Sequence, residues 1–151
     1  MPIPPETIAE LRDEFPAAVA GLKDSSADLN TARAFGAAFP DLTIFNGTDS
    51  LFSAALAAGA SGCITALANV ASPLLRQVWD GRDTETGVQA QARLTAAKTV
   101  LGRYPAAPAL KHLLEIWHGF PQWGVRPPLL PLDAATGERL EREMQAALGG
   151  R

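Results

Sequence analysis

The sequence predicts an α/β protein, and two observations lead to this class. Three short apolar segments, at residues 17–22, 42–45 and 62–66, alternate with amphipathic segments of helical spacing. This alternation is typical of parallel βαβ units with right-handed crossovers. Beyond Asn69 only helical segments remain. We therefore expect a parallel sheet with its own helices, followed by an all-helical extension.

The first two predicted elements are a helix and a buried strand. The helix has apolar positions at helical spacing and is bounded by prolines, as its residues Pro4, Pro5, Ile8, Leu11, Phe15 and Pro16 show. Residues 17–22 are apolar but too few for a second helix, and they suit a parallel strand covered on both faces. The polar residues 23–26 then form the loop at the carboxyl end of this strand.

Two further helix–strand pairs follow in the same order. Asp28 or Asn30 can cap the second helix, which continues to Phe39. Residues 42–45 form the next strand-like run, which the polar segment 46–49 interrupts. A third helix is expected from about Ser50 to Gly59, and residues 62–66 are expected to form the third strand.

The last part of the chain predicts helices alone. Ser72 and Pro73 begin a helix through Trp79, and helical segments follow at 85–103, 106–118 and 133–148. Three parallel strands are few for a sheet that needs helices on both faces and neighbours on both edges. With 151 residues, the chain is also shorter than a complete (β/α)8 barrel, which takes about 250 residues.

Composition restricts the partners and the compartment. A net charge of -3 gives no basic field that would attract nucleic acid or an anionic membrane. The single cysteine, Cys63, excludes a disulfide framework, and His112 and His118 lack metal-ligand spacing, so we expect no metal and no cofactor. The N-terminus lacks the features of a secretory signal, and no apolar run reaches membrane-spanning length, which favours a soluble cytoplasmic protein.

Lys23 is the first candidate for chemistry. It lies at the carboxyl end of a predicted parallel strand, where α/β folds place their reactive groups. A lysine that forms an imine must be unprotonated, and desolvation at a barrel mouth can favour that form. From position alone, an ordinary surface lysine at a strand terminus is the alternative.

Four segments carry a resemblance to one family, and they occur in the family's order. The first is Val19-Ala20-Gly21-Leu22-Lys23-Asp24-Ser25-Ser26-Ala27-Asp28, and the others span residues 45–49, 59–70 and 125–132. Together they resemble the Schiff-base aldolases of the dihydrodipicolinate synthase and N-acetylneuraminate lyase family. The resemblance implies a partial TIM barrel, with strands six to eight and their helices in residues 1–82 and a helical extension in residues 83–151.

The resemblance also implies roles for five residues. Lys23 would form the imine with pyruvate or another 2-oxo acid, and Gly47 would leave room for substrate, although it is also a natural turn glycine. Thr48 and Asp49 match positions that contact the variable part of the second substrate, while Asp49 is equally suited to cap a helix. Ile64 would contribute a backbone carbonyl near the imine, and otherwise it is a core strand residue.

The resemblance covers only the second half of the family pattern. The first five strands are absent, and with them a Thr-Thr pair that binds the substrate carboxylate and a tyrosine that shuttles protons. The only tyrosine, Tyr104, lies in the predicted helical extension. We therefore expect a lyase or aldolase that acts on a 2-oxo acid and an aldehyde, is homo-oligomeric at full length, and is inactive as the isolated half.

Two non-enzymatic alternatives remain open from the sequence. The half-barrel could be a structural or regulatory subunit that completes the sheet of a partner. The apolar residues of the late helices could also belong to an interaction module, namely Leu110, Leu113, Leu114, Ile116 and Trp117.

Overall fold

The computed structural model describes residues 3–150, which divide into two compact units. The first unit ends at Thr65 and the second begins at Ala66. The predicted division at residue 82 refers to the family's barrel and its extension, and it stays a prediction.

The first unit alternates helices and strands. Its elements are α1 (Pro5–Glu14), β1 (Gly21–Asp24), α2 (Leu29–Ala38), β2 (Thr43–Asn46), a 3₁₀ turn (Asp49–Leu51), α3 (Phe52–Ala57) and β3 (Gly62–Cys63). The strands form a parallel sheet in the order β1-β2-β3, so β2 is central. The predicted α/β class is therefore confirmed.

All three strands differ from the predictions in their bounds, and β2 is Thr43–Asn46 rather than residues 42–45. β1 begins at Gly21 rather than at residue 17 and includes Lys23, because Lys23 and Asp24 pair with β2. The preceding residues instead form a turn, in which the N–H groups of Ala18 and Val19 donate to the carbonyl of Phe15. β3 contains only Gly62 and Cys63, shorter than the predicted 62–66.

The core of the first unit lies on one face of the sheet. Ile44 is 5% exposed and packs with Phe35 of α2, Ile8 of α1 and Leu42. Successive residues of a strand point to opposite faces, so the neighbours of Ile44 in β2 point away from this core. The sheet thus has one face covered by helices and one face that carries Thr43 and Phe45.

The second unit contains four helices: α4 (Ala68–Asp80), α5 (Glu85–Leu101), α6 (Ala106–His118) and α7 (Ala134–Leu148). α4 begins at Ala68, four residues before the predicted start at Ser72, and its backbone is non-helical at Ala71, directly before that predicted start. α5 packs on α4 and α7. The fully buried side chains of this unit include Leu94, Leu113, Leu140 and Met144.

Helix ends in the second unit follow local sequence. The side chains of Thr84 and Asp133 accept hydrogen bonds from the backbone at the N-termini of α5 and α7. Gly119 and Gly149 end α6 and α7 in the left-handed conformation. No helix among residues 3–150 has the length and apolar character that crossing a membrane requires.

Candidate active site at the carboxyl ends of the strands

Lys23 lies within β1, directly opposite Phe45 of β2, and Phe45 in turn lies opposite Gly62 of β3. Paired residues of neighbouring strands project to the same face of a sheet. Lys23 and Phe45 therefore share the face that turns away from the helix-covered core, and Lys23 is exposed. The amine of Lys23 is accessible to a small molecule in this structure.

The Phe45 ring packs against the position where Gly62 lacks a side chain. A Cβ at residue 62 would lie 3.3 Å from both Cδ1 and Cε1 of the Phe45 ring. Gly62 also has a φ of +153°, a backbone conformation that other residues rarely adopt. Glycine at this position thus allows an aromatic ring to lie across the middle of the face that carries Lys23.

The loops that follow β1 and β2 meet at Gly47. The N–H of Gly47 donates a 2.7 Å hydrogen bond to the carbonyl of Asp24. A Cβ at residue 47 would lie 2.6 Å from that carbonyl oxygen and 2.7 Å from Oγ of Ser25. The close approach of the two backbones therefore requires glycine here, and it holds the Gly47 loop against the end of the Lys23 strand.

Short-range hydrogen bonds order the loop after β1. The Asp24 carboxylate accepts from the N–H of Ser26 at 2.8 Å, and Oγ of Ser26 accepts from the N–H of Asp28 at 3.1 Å. Asp28 then caps α2 by accepting from the N–H of Asn30. Local hydrogen bonds thus order the turn after β1, and Asp28, one of the two predicted caps, is the residue that caps α2.

Asn46, which the sequence interpretation did not select, fixes the loop after β2. Its Nδ2 donates to the carbonyl of Thr48 at 2.7 Å, and its Oδ1 accepts from the N–H of Thr48 at 3.2 Å. Asn46 is 8% exposed, while Thr48 is half-buried. An asparagine followed by glycine at the end of a strand is a recognisable turn pattern, so the sequence contained this information.

Asp49 is buried, whereas Thr48 beside it is half-buried. Its residue exposure is only 1%, and it begins the 3₁₀ turn, so Thr48 and not Asp49 occupies the N-cap position. The predicted capping role of Asp49 is thus wrong. Burial raises the pKa of the Cys63 thiol, the Thr65 hydroxyl lowers it by a smaller amount, and the Asp49 carboxylate adds to the increase. Asp49, Cys63 and Thr65 therefore form one buried or half-buried polar cluster.

Ile64 is not a core strand residue, so that alternative prediction is wrong. It is 50% exposed and directly follows β3. Its N–H donates a 2.9 Å hydrogen bond to the carbonyl of Asn46, which holds the end of β3 beside the end of β2. The predicted contact of its own carbonyl with an imine stays a prediction.

Tyr104 belongs to the second unit, in the loop between α5 and α6. Its hydroxyl donates a 2.7 Å hydrogen bond to Oε2 of Glu143, which also lies 3.1 Å from the Arg103 guanidinium. The guanidinium of Arg139 lies 5.9 Å from the centre of the Tyr104 ring. Tyr104 thus links the α5–α6 loop to α7, a structural role within the helical unit.

A groove of 460 Å³ runs beside β1. It is lined by polar residues of the strand end, including Lys23, Ser25 and Ser26, and by the apolar side chains of Ile8 and Phe35. In the part of the chain that the structure describes, no group of three or more His, Cys, Asp or Glu side chains is arranged to hold a metal ion. The chemistry that these side chains offer is that of a primary amine, hydroxyl groups and backbone amides.

Comparison with known proteins gives a consistent family assignment. The model of the dihydrodipicolinate synthetase family matches residues 1–147. An uncharacterized DapA-like lyase from Chloroflexus aurantiacus is 42% identical over 131 residues, which cover 86% of this chain and 44% of that protein. The 4-hydroxy-tetrahydrodipicolinate synthase of Rhodopseudomonas palustris is 33% identical, with 83% of this chain and 44% of the relative covered.

A solved structure shows the same fold. N-acetylneuraminate lyase (sialic acid aldolase) from Aliivibrio salmonicida superposes with a TM-score of 0.83 at 24% identity, over 95% of this chain and 48% of the lyase. The chain thus spans about half the length of the curated relatives and of the solved structure that it matches. Given the family match over residues 1–147 and the strand-end arrangement around Lys23, this chain belongs to the dihydrodipicolinate synthetase family.

Proposed function

We propose that this chain is the lysine-bearing part of a Schiff-base lyase, with β1 to β3 as strands six to eight of a (β/α)8 barrel. The observation that carries the proposal is the position of Lys23, accessible and near the carboxyl end of a parallel strand, in a chain of this family. Reactive groups of parallel α/β folds lie at this end of the strands. Relatives are named as lyases and synthases, which agrees with carbon–carbon bond chemistry.

The proposed reaction begins at Nζ of Lys23. The unprotonated amine attacks the ketone carbon of pyruvate or another 2-oxo acid, and the resulting carbinolamine takes up a proton and loses water to leave a protonated imine. Loss of a proton from C3, or cleavage of the C3–C4 bond with loss of the C4 hydroxyl proton and release of an aldehyde, sends an electron pair to the imine nitrogen and gives an enamine. The enamine either adds to an aldehyde or takes up a proton, and hydrolysis releases the product and restores the amine.

The neighbouring residues have supporting roles in the proposal. Gly47 holds the loop after β2 against the Lys23 strand, and Thr48 contacts the distal part of the second substrate. The Ile64 carbonyl lies near the imine. Asp49 belongs to the same proposed specificity region, but at 1% exposure its effect on substrate would pass through the residues around it.

We also propose that catalysis needs the other half of a barrel. The strands β1 and β3 each pair only with β2 among residues 3–150, so both edges of the sheet are open. A closed barrel abolishes such edges and surrounds the strand ends with loops that exclude water. The proposed carboxylate-binding and proton-transfer groups would come from that other half.

The proposal is tested by trapping the imine with borohydride in the presence of pyruvate. We expect little adduct on the 151-residue chain alone, and one adduct per chain when the N-terminal half of the Chloroflexus relative is supplied together with it. Peptide mass spectrometry locates the adduct. We expect it on Lys23, because the sequence contains only two other lysines, Lys98 and Lys111.

Two variants control the trapping experiment. Lys23→Arg keeps the positive charge but cannot form the imine, so it should abolish the adduct. Lys98→Arg makes the same replacement in α5 of the second unit and should leave the adduct unchanged. Adduct that persists in the Lys23→Arg chain, or that maps to Lys98 or Lys111, contradicts the assignment.

The open sheet edges favour a second candidate function, a non-catalytic subunit that completes the sheet of a partner. The carbonyl of Ala20 accepts from the N–H of Thr43 in β2, and that of Asp24 accepts from the N–H of Gly47, directly after β2. The backbone groups of Gly21 and Lys23 therefore face the outer edge. Unpaired groups of this kind are a template for another strand. A chain that stays monomeric and soluble in light scattering at high concentration argues against this role.

A further inference from the structure

We propose that Asn46 is a positioning residue for the aldehyde side of the site, acting through Thr48. This inference rests on the proposed function, because it names the residue that orients the loop on which second-substrate recognition depends. Asn46 does not touch the substrate in this account. Its side chain sets the backbone direction of Thr48, and Thr48 makes the contact.

Both hydrogen-bonding groups of the Asn46 side chain contact the backbone of Thr48. Nδ2 of Asn46 donates to the Thr48 carbonyl at 2.7 Å, while Oδ1 accepts from the Thr48 N–H at 3.2 Å. The two bonds together hold the peptide groups on both sides of Thr48. Asn46 itself is anchored at the end of the central strand, in register with Asp24 and Cys63.

Burial makes the loss of these two Asn46–Thr48 hydrogen bonds more costly than the loss of a surface contact. Asn46 is 8% exposed, and a buried amide that loses its partners keeps the cost of its desolvation. The Asn46 carbonyl also accepts from the N–H of Ile64, so the same residue connects the loop to the end of β3. A shift of Asn46 would therefore move Thr48 without directly moving Lys23, which is on the neighbouring strand and projects to the other face.

Three substitutions of Asn46 test its two hydrogen bonds to Thr48. Asn46→Ala removes both bonds. Asn46→Ser leaves a hydroxyl that can accept from the Thr48 N–H, since serine forms the same turn more weakly. Asn46→Asp keeps an acceptor for the N–H but places a second oxygen against the Thr48 carbonyl. Asn30→Ala, an exposed asparagine in α2, is the matched control.

The first measurement uses the 151-residue chain itself. Amide hydrogen exchange followed by NMR should show the Thr48 N–H exchanging about tenfold faster in Asn46→Ala, and less so in Asn46→Ser. The Gly47 N–H, which donates to Asp24, should keep its protection in Asn46→Ser. Unchanged exchange at Thr48 in the folded variants overturns the inference.

The second measurement uses the chain together with the complementing half. With pyruvate and a panel of short aldehydes, beginning with glyceraldehyde, Asn46→Ala should raise the KM for the aldehyde about tenfold, because Thr48 is no longer held by the two Asn46 hydrogen bonds. Borohydride trapping of pyruvate on Lys23 should stay within about twofold of the unsubstituted chain. The aldehyde KM of Asn46→Ser should lie between those of Asn46→Ala and the unsubstituted chain. The aldehyde KM of Asn30→Ala should match that of the unsubstituted chain.

The outcomes distinguish this inference from the proposed function. If the unsubstituted pair traps no pyruvate or uses no aldehyde, the proposed function fails, and this inference fails with it. If both reactions occur but the aldehyde KM is the same in all three Asn46 variants, only this inference fails. Equal losses of trapping and aldehyde use in Asn46→Ser would show a general structural role and would also overturn it.

Discussion

The N–H of Gly47 and the carbonyl of Asp24 form a 2.7 Å hydrogen bond that joins the loops after β1 and β2. The contact brings the two backbones so close that a side chain at residue 47 has no space. The loop proposed to contact the second substrate is thus tied directly to the end of the strand that carries Lys23.

Gly47→Ala should destabilise the first unit. The added Cβ would lie 2.6 Å from the Asp24 carbonyl oxygen and 3.0 Å from Cα of Ser25, and backbone atoms cannot move as a flexible side chain does. We expect a loss of about 1–3 kcal/mol in the free energy of unfolding, measured by urea titration.

Gly36→Ala is the control for that substitution. Gly36 lies inside α2, and its added Cβ would be 3.9 Å from Cδ1 of Ile44, an ordinary contact. Replacing glycine inside a helix with alanine should stabilise the chain by about 0.5–1 kcal/mol. Equal effects of the two substitutions would show that the close approach at Gly47 has no energetic consequence.

Gly137→Ala should loosen the packing between α6 and α7. The added Cβ would lie 2.6 Å from Cε1 and 2.8 Å from Nε2 of His112. We expect a loss of about 1–3 kcal/mol in unfolding free energy. The combined variant His112→Ala, Gly137→Ala should recover part of this loss, because the ring that collides is removed. Additive losses in the double variant would contradict the contact.

Cys63 should react slowly with thiol reagents in the folded chain. Burial is the main cause that raises its thiol pKa, and the Asp49 carboxylate adds to it, so less thiolate is present at neutral pH. We expect alkylation by iodoacetamide at pH 7.5 to be about tenfold slower than in the chain unfolded by urea. Asp49→Asn should speed the reaction, and Asp83→Asn, a surface change in the second unit, should not.

The Arg12–Asp41 ion pair should make a small, pH-dependent contribution to stability. The hydrogen bond from the Arg12 guanidinium lowers the pKa of the Asp41 carboxyl in the folded chain. A carboxyl with a lowered folded-state pKa contributes stability above its unfolded-state pKa, and this is lost as pH falls through the folded value. Asp41→Asn should therefore reduce the loss of stability that urea titrations show as the pH falls below about 4.

The effect of Asp41 should be modest, because the carboxyl is exposed and solvent screens the pair. Asp13→Asn in α1 is the control, since Asp13 has no ion pair among residues 3–150. An equal change in acid sensitivity for Asp13→Asn and Asp41→Asn would show that net charge, rather than the pair, is responsible.

Much of the fold could be predicted from local patterns. The helix spacing and the cap of α2 depend on neighbours in sequence, and Asp28, one of the two predicted caps, is the residue that caps α2. The start of α4 was predicted less well, because α4 begins at Ala68 and not at Ser72. The strand limits could not be predicted as well, because a residue joins a strand only when a partner strand is present. Lys23 and Asp24 are polar, yet they belong to β1 through their pairing with Phe45 and Asn46.

In the candidate site, too, some residues could be identified from local sequence and others could not. Lys23 and Gly47 could be selected by residue type and position, since a strand-end lysine and a turn glycine are visible in the sequence. The exposure of Asp49 and Ile64 could not be predicted from residue type, because exposure depends on packing. The charged residue Asp49 is 1% exposed, while the apolar residue Ile64 is 50% exposed. Asn46 was not selected, although its pattern with Gly47 indicates a turn, because that pattern does not show that the side chain is buried and bonds twice to Thr48.

The sequence by itself determined the α/β class, the order of the elements and the lysine-bearing strand, because periodicity and turn residues act over a few positions. Only the tertiary structure decided that Lys23 lies opposite Phe45, that Gly47 permits a backbone contact with Asp24, and that Asp49 is buried. These relationships join residues from different strands and loops, and their geometry is set by sheet register and by the space that packing leaves.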